Sequence, residues 1–387
     1  MVRHYLPGYK SGGPVRTIAN MVDHLGDYFD FRIVTFNRDA TEDAPYANVA
    51  IDSWNTVGKA QVYYLSPENS SIRTLVRLLF ETPYDVLYLN SFFDPVFTQR
   101  SLLARRLGLM PNKPTVIAPR GEFSPGALAI KRWKKAPYKS FASAFGLYRD
   151  LIWRASSERE LEQIRRAMGT TAQRLIVAPN LSTLSQGEIL ETNEPISKRR
   201  GSLRLIYLSR ISPIKNLDFA LRVVHRLKVP VQFDIYGPID SEPYWKQCKT
   251  LMVDLPPNVT VRYCGAVDHS EVLRILGTYD LFFLPTRGES FGHVIIESLA
   301  AGTPVLIADT TPWCYLDRNG IGWDLPLDDE QQFANKISEA TRMSLEAYRL
   351  WRRRVRCYAR ARLDKAEVIT ANRQLFIEAA RETRHAN

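Results

Sequence analysis

Ten short apolar runs, separated by stretches of helical periodicity, constrain this chain more than any other feature it has. The first five are Phe31–Phe36, Asp85–Leu89, Thr115–Ala118, Leu151–Ala155 and Leu175–Ala178. The second five are Leu203–Leu208, Val231–Tyr236, Val259–Tyr263, Leu281–Leu284 and Pro304–Ala308. Helical patterns such as Thr17–Leu25 and Glu158–Ala167 lie between them. Strands alternating with helices build parallel sheets covered on both faces, so the fold class is α/β. At 387 residues the chain exceeds one ordinary core, and its two sets of runs suit two domains of similar build. Leu181–Gly201, rich in Ser, Thr and Glu, reads as the linker. Only Val2–Leu6 precedes the loop Pro7–Gly13, so either the first strand is very short or its beginning is missing.

Composition removes several classes. Hydrophobic residues at 45% and charged residues at 24% are globular proportions, which excludes disorder, collagen and coiled coil. Lys and Arg exceed Asp and Glu by 11, an excess that draws phosphates, nucleic acid or anionic lipid without choosing among them. Cys248, Cys264, Cys314 and Cys357 form no C-x-x-C pair and have no His at zinc-ligand spacing, so neither a metal knuckle nor a disulfide framework is expected. No apolar window is long enough for a membrane span, and the expected location is cytoplasmic or peripheral on the inner face of the plasma membrane. Leu350–Ala380 reads as one terminal helix with a solvated basic head at Trp351-Arg352-Arg353-Arg354.

Two segments carry chemistry. Thr286–Glu297 follows the run Leu281–Leu284 and opens a helix that reaches Ala300 or Ala301, beyond a strand's carboxyl end where open sheets bind ligands. Ser290 is placed to cap that helix, leaving the amides of Gly292 and His293 to face an anion. Glu289 and Glu297 stand eight residues apart, about 12 Å of helical rise, which fits poorly with a glycosidase carboxyl pair. They should grip different parts of one elongated ligand. The second segment follows Leu203–Leu208, where Arg210 and Lys215 enter a Pro-containing loop before the helical Leu217–Leu227. Such a pair neutralises a diphosphate, Arg as a planar fork and Lys as a point charge.

Ser209–Asn216, the Glu289–Glu297 block running on through Ser298–Val305, and the Gly12-Gly13 loop together resemble the retaining, nucleotide-sugar-dependent glycosyltransferases of family 4. The resemblance spans nearly the whole chain. It implies the glycosyltransferase B fold, two Rossmann-like parallel-sheet domains facing across a cleft. Residues 1–180 would bind the acceptor and 181–365 the donor, with 366–387 a terminal helix returning to the first domain. It also implies that Arg210 and Lys215 hold the donor diphosphate, Glu289 meets the transferred sugar and Glu297 bonds the ribose. Glu289, Arg210 and Lys215 are then the catalytic candidates. Gly12 and Gly13 would close over the phosphates, and Tyr236-Gly237 would border the donor after the second strand of its domain.

Departures from the family pattern matter too. Many members carry a His after the fourth N-terminal strand, where this chain has Pro119-Arg120-Gly121-Glu122, making Arg120 and Glu122 candidates for phosphate or acceptor. His293 replaces an aliphatic residue and is either structural or a donor contact. Lys131, Arg132, Trp133, Lys134 and Lys135 mix cations with an aromatic, which suits an anionic membrane or lipid-linked acceptor, or else a solvated basic helix. No metal or other cofactor is expected beyond the nucleotide-sugar substrate, since Arg210, Lys215 and helix-terminal amides can take the charge. The activity implied is transfer of a sugar, with retention, to a saccharide or lipid-linked acceptor in polysaccharide or glycolipid assembly. Rival readings are a nucleotide-sugar epimerase or phosphorylase of the same fold, a basic nucleic-acid-binding module, and a scaffold without activity. Scattered cations and the lack of a nucleic-acid motif disfavour the binding module.

Overall fold

A computed structural model describes residues 1–130, 132–182, 184, 198–363 and 366–385. The chain divides into one unit of Met1–Thr183 with Lys365–Asn387, and a second of Leu184–Asp364. The linker reading therefore falls mostly outside the described residues.

The first unit contains β1 (Phe31–Phe36), β2 (Trp54–Val57), β3 (Ala60–Leu65), β4 (Leu87–Leu89), β5 (Thr115–Ile117), β6 (Ile152–Ala155) and β7 (Arg174–Val177). β1-β3-β2 form one sheet and β4-β5-β6-β7 another, parallel throughout except for the β2/β3 pair. The antiparallel β2/β3 pair departs from the expected parallel arrangement. The start of the chain bridges the two sheets. The Val2 amide donates to Val34 O (3.1 Å) and the Phe36 amide to Arg3 O (3.2 Å), while the Asn90 amide donates to Met1 O (3.1 Å). Met1–Arg3 thus does a first strand's pairing in three residues.

The second unit contains β8 (Leu203–Leu208), β9 (Val231–Tyr236), β10 (Val259–Tyr263), β11 (Leu281–Leu284), β12 (Val305–Ala308) and β13 (Gly322–Leu325). They make one parallel sheet in the order β10-β9-β8-β11-β12-β13. In chain order within the unit this is 3-2-1-4-5-6, which reverses direction between β8 and β11. β11 and β12 are buried at every position because helices cover both faces, which is why they read as unbroken apolar runs.

The terminal helix is two helices, Leu345–Arg362 in the second unit and Ala366–His385 in the first. Its basic head is not wholly solvated. Arg352 is buried, and its guanidinium donates to Gly277 O (2.9 Å), Tyr279 O (3.0 Å) and Ala301 O (3.0 Å). It thereby satisfies carbonyls at the ends of the helices His269–Gly277 and His293–Ala300, which would otherwise be buried without donors.

Candidate active site

The loops that leave β8 and β11 diverge at the reversal in strand order, and the sequence stitches them together. Ile214 O accepts the Arg287 amide (2.8 Å) and the Thr286 hydroxyl (3.0 Å). Asn216, left-handed at φ 61°, donates from its side-chain amide to Pro285 O (2.9 Å) and accepts from Arg287 Nε (2.8 Å). Left-handed backbone suits Asn better than most residues. Beneath the loop, the buried Tyr207 hydroxyl reaches Lys215 O (3.3 Å). The stitching brings Lys215 and Glu289, 74 residues apart, into a direct ion pair between largely enclosed side chains.

The other candidates of this unit surround that pair. Arg210 is half-exposed and pairs with Asp240 (3.1 Å), a residue that lies three positions beyond Gly237 and that sequence reasoning passed over. Glu297, 8% exposed, sits in the second turn of the helix His293–Ala300 with His269 Nδ1 3.9 Å away. His269 also escaped the sequence reading; the Asp268 N-cap that begins its helix is the signal that marks its loop. Tyr236 donates to or accepts from the Tyr279 hydroxyl (3.1 Å) at the end of β9. Gly237, at φ 137°, lies so close to the β8 exit that an added Cβ would stand 1.9 Å from Ser209 O. Only glycine fits there.

The N-cap position of the helix falls at Gly292, at φ 79°, two residues beyond Ser290, so the turn takes a left-handed residue just where a capping hydroxyl would need extended backbone. Its amide and that of His293 still lie at the helix start. The His293 ring packs edge-on against Phe291 (4.8 Å), whose carbonyl accepts from Trp313 Nε1 (2.5 Å).

In the first unit, Gly12 is the N-cap of the helix Gly13–Leu25, at φ 63°. The buried Asp39 carboxylate anchors the preceding turn by accepting the amides of Tyr9 (2.7 Å) and Lys10 (3.0 Å). A Cβ at Gly13 would meet nothing within 4 Å, so packing in this unit does not demand glycine there.

Glu122 departs from a ligand-facing role. Its two oxygens accept the Ser91 hydroxyl (2.8 Å) and the amides of Phe92 (2.5 Å) and Phe93 (3.2 Å), the donors of the turn after β4. Burial raises its carboxyl to about 7 against those hydrogen bonds. Arg120 lies within a polar cluster described below.

The basic segment forms the helix Arg132–Ala144, with Lys131 outside the described residues. Trp133 is 74% exposed, with the Lys134 ammonium 4.7 Å from its ring centre. Lys135 instead turns inward, donating to Ala127 O (2.6 Å) and lying over Phe93. No helix among the described residues is long and apolar enough to cross a membrane, and none of them group as three or more His, Cys, Asp or Glu able to hold a metal.

Residues 190–362 match the family model described as "Glycosyl transferases group 1". Over that segment the chain is similar to the group 1 glycosyl transferases. An uncharacterized 41.2 kDa protein in the cps region of Klebsiella pneumoniae is 24% identical over 320 residues, 81% of this chain and 84% of that protein. Anabaena HepE, solved with UDP-glucose, superposes with a TM-score of 0.68 at 18% identity, covering 100% of this chain and 98% of that one. WaaG, a glycosyltransferase involved in lipopolysaccharide biosynthesis, gives a TM-score of 0.67 at 14% identity, covering 97% and 98%. The resemblance to family 4 and the glycosyltransferase B fold that it implied are both borne out. The Lys215–Glu289 pair lies within the family-matched segment.

Proposed function

We propose that this glycosyltransferase takes its sugar from a nucleotide diphosphate donor held by the second unit, and transfers it with retention, without a metal ion, to an acceptor held by the first. The Lys215–Glu289 pair carries the reading. A nucleotide sugar joins its diphosphate to its sugar through one ester oxygen, so a site for it must set a phosphate-binding cation beside a sugar-binding group. Lys215 and Glu289 meet that requirement, and they do so at the sheet's reversal point, where open α/β sheets bind nucleotides. Arg210, tethered to Asp240, adds a second cation for the leaving diphosphate. Glu297 would hold the ribose from the next helical turns. On a front-face route the departing phosphate oxygen takes the acceptor's proton, so no strong protein base is needed. HepE bound to UDP-glucose supports a uridine donor as the first to test.

The acceptor is read as a saccharide or lipid-linked saccharide presented at an anionic membrane, supported by the exposed Trp133 beside Lys134 and by the exposed, mutually packed Phe141 and Phe145 (ring centres 4.3 Å apart). These suit a helix lying in the headgroup layer. Incubation with UDP, GDP, ADP and dTDP sugars, with proton NMR of the product, tests the chemistry. An anomeric configuration matching the donor's is expected, with full activity in chelator. Inversion refutes the retaining mechanism, and activity lost to chelator and restored by magnesium refutes the metal-free one. Lys215→Ala or Arg210→Ala should weaken nucleoside diphosphate binding far more than nucleoside binding.

A further inference from the structure

Two guanidinium groups, Arg154 buried and Arg120 partly buried, lie side by side in the first unit, at the carboxyl edge of the sheet β4-β5-β6-β7, and their partners are neutral. Arg120 donates to Asn90 Oδ1 (2.5 Å), Asn180 Oδ1 (2.7 Å) and the Tyr88 hydroxyl (2.7 Å). Arg154, on β6 and 1% exposed, donates to the same Asn180 Oδ1 (3.1 Å) and Tyr88 hydroxyl (3.2 Å), to Asn372 Oδ1 (3.2 Å) and to Pro179 O (3.2 Å). Among the described residues no carboxylate lies within ion-pair distance of either group. Glu160 is the one carboxylate whose charge acts on Arg120 among the described residues, but its oxygens are taken by the Gly121 and Ser156 amides and the Ser156 hydroxyl. Two cations against one carboxylate leave an excess positive charge.

Buried charge is costly unless paired, and Asp in place of Asn at 90 or 180 would pair it without changing the side chain's size. The chain instead carries amides at each of these places. Two buried donors are also left open: Asn90 Nδ2, on a residue 6% exposed, and Arg154 Nε have no hydrogen-bond partner. Arg120 itself is partly exposed and sits at φ 57°, followed by Gly121 at φ 76°, a left-handed pair of the kind held at ligand sites. Burial and the neighbouring Arg154 lower its basicity, a further sign that the charge lacks a full partner in the chain.

We propose that Arg120, with Asn90 and with Arg154 behind it, forms an oxyanion site at the carboxyl edge of the first unit's sheet, which takes the phosphate or carboxylate group of an acidic acceptor. The acceptor part rests on the function proposed above; the anion site does not. Arg120 supplies the reachable charge, Asn90 Nδ2 an unused donor, and Arg154 a positive field.

The test uses the full chain carrying Arg210→Ala and Lys215→Ala, so that phosphate cannot report on the second unit. In calorimetric titration this protein should bind inorganic phosphate or acetate at low millimolar concentration, more weakly as salt rises. Phosphate alone indicates a phosphorylated acceptor; acetate as well indicates a site open to uronic acids too. Adding Asn90→Asp replaces the open donor with an internal anion. It should lower anion affinity at least tenfold while raising the thermal midpoint, because the buried cation gains its partner. Arg120→Lys, which keeps charge but loses the fork, should lower affinity less. No binding of either anion, or equal binding in the Asn90→Asp protein, overturns the site. Neither result touches the donor reading, since no nucleotide or transfer is measured.

Discussion

Asn216 is where fold and chemistry are most tightly joined, because its side chain ties the Lys215 loop to the Glu289 loop while its backbone takes a left-handed turn. Asn216→Ala removes the only side-chain donor to Pro285 O among the described residues, a carbonyl on a buried residue, and stranding it costs about 1–3 kcal/mol. The lost bond from Arg287 costs less, because that side chain is 45% exposed and water replaces the acceptor. Alanine at φ 61° adds about 1 kcal/mol of strain that Asn avoids. The expected total is about 2–4 kcal/mol. Asn216→Gly loses the same hydrogen bonds but not the strain, and should recover about 1 kcal/mol of it. The readout is thermal unfolding, following the transition that a nucleoside diphosphate raises. Turnover should fall about 10–100-fold in both variants, more than nucleotide affinity does, since small misplacements of reacting groups weigh mainly on the transition state. If Ala and Gly variants unfold at the same temperature, or if both keep wild-type turnover, the stitched-loop argument is wrong.

Glu297→Ala should weaken nucleotide binding by about 1.5–3 kcal/mol, the worth of hydrogen bonds to a charged group, while Glu289→Gln should chiefly lower kcat; equal effects on nucleotide affinity would sink the two assignments. Glu122, raised by burial from 4.5 to about 7, binds its proton more tightly folded than unfolded. Its contribution to stability is therefore fully present below about pH 4.5 and lost as pH rises through 7, and Glu122→Gln should flatten that part of the stability–pH curve measured by denaturant titration. At the membrane, Arg132→Gln, Lys134→Gln and Lys139→Gln together remove about 3 kcal/mol of attraction to an anionic surface, roughly 100-fold in partitioning at low salt. Co-sedimentation with anionic vesicles checks this, and Lys135→Gln alone should change little, because its ammonium is already spent on Ala127 O. Identical partitioning of the triple variant and wild type would remove the membrane role.

What the sequence made legible follows how each element is buried. β8 and β9 are enclosed on both faces and stand out as apolar runs with the same ends in sequence and structure. β2 and β3 escaped because their hairpin mixes exposed and buried positions around Gly58-Lys59, and β13 because Gly-Trp-Asp-Leu is short and polar. The phosphate-site candidates were legible through strand-to-loop placement alone, since any residue just past a parallel strand lies at the sheet's carboxyl edge. Which of them touch was not. Lys215 meets Glu289 because β8 and β11, the first and fourth strands of the unit, are neighbours in the sheet although β9 and β10 lie between them in sequence, and Asn216 then fixes the loops against each other. Arg120 shows the same limit from the other direction. Its place after β5 marked it as a candidate, but the residues that decide its chemistry, Asn90, Asn180 and Arg154, come from three other strand ends. Each is an unremarkable residue on its own; only their convergence shows two cations held by amides where carboxylates would fit. A ligand's charge is the missing partner that this arrangement calls for, and Asn90→Asp asks whether the chain left that place open for it.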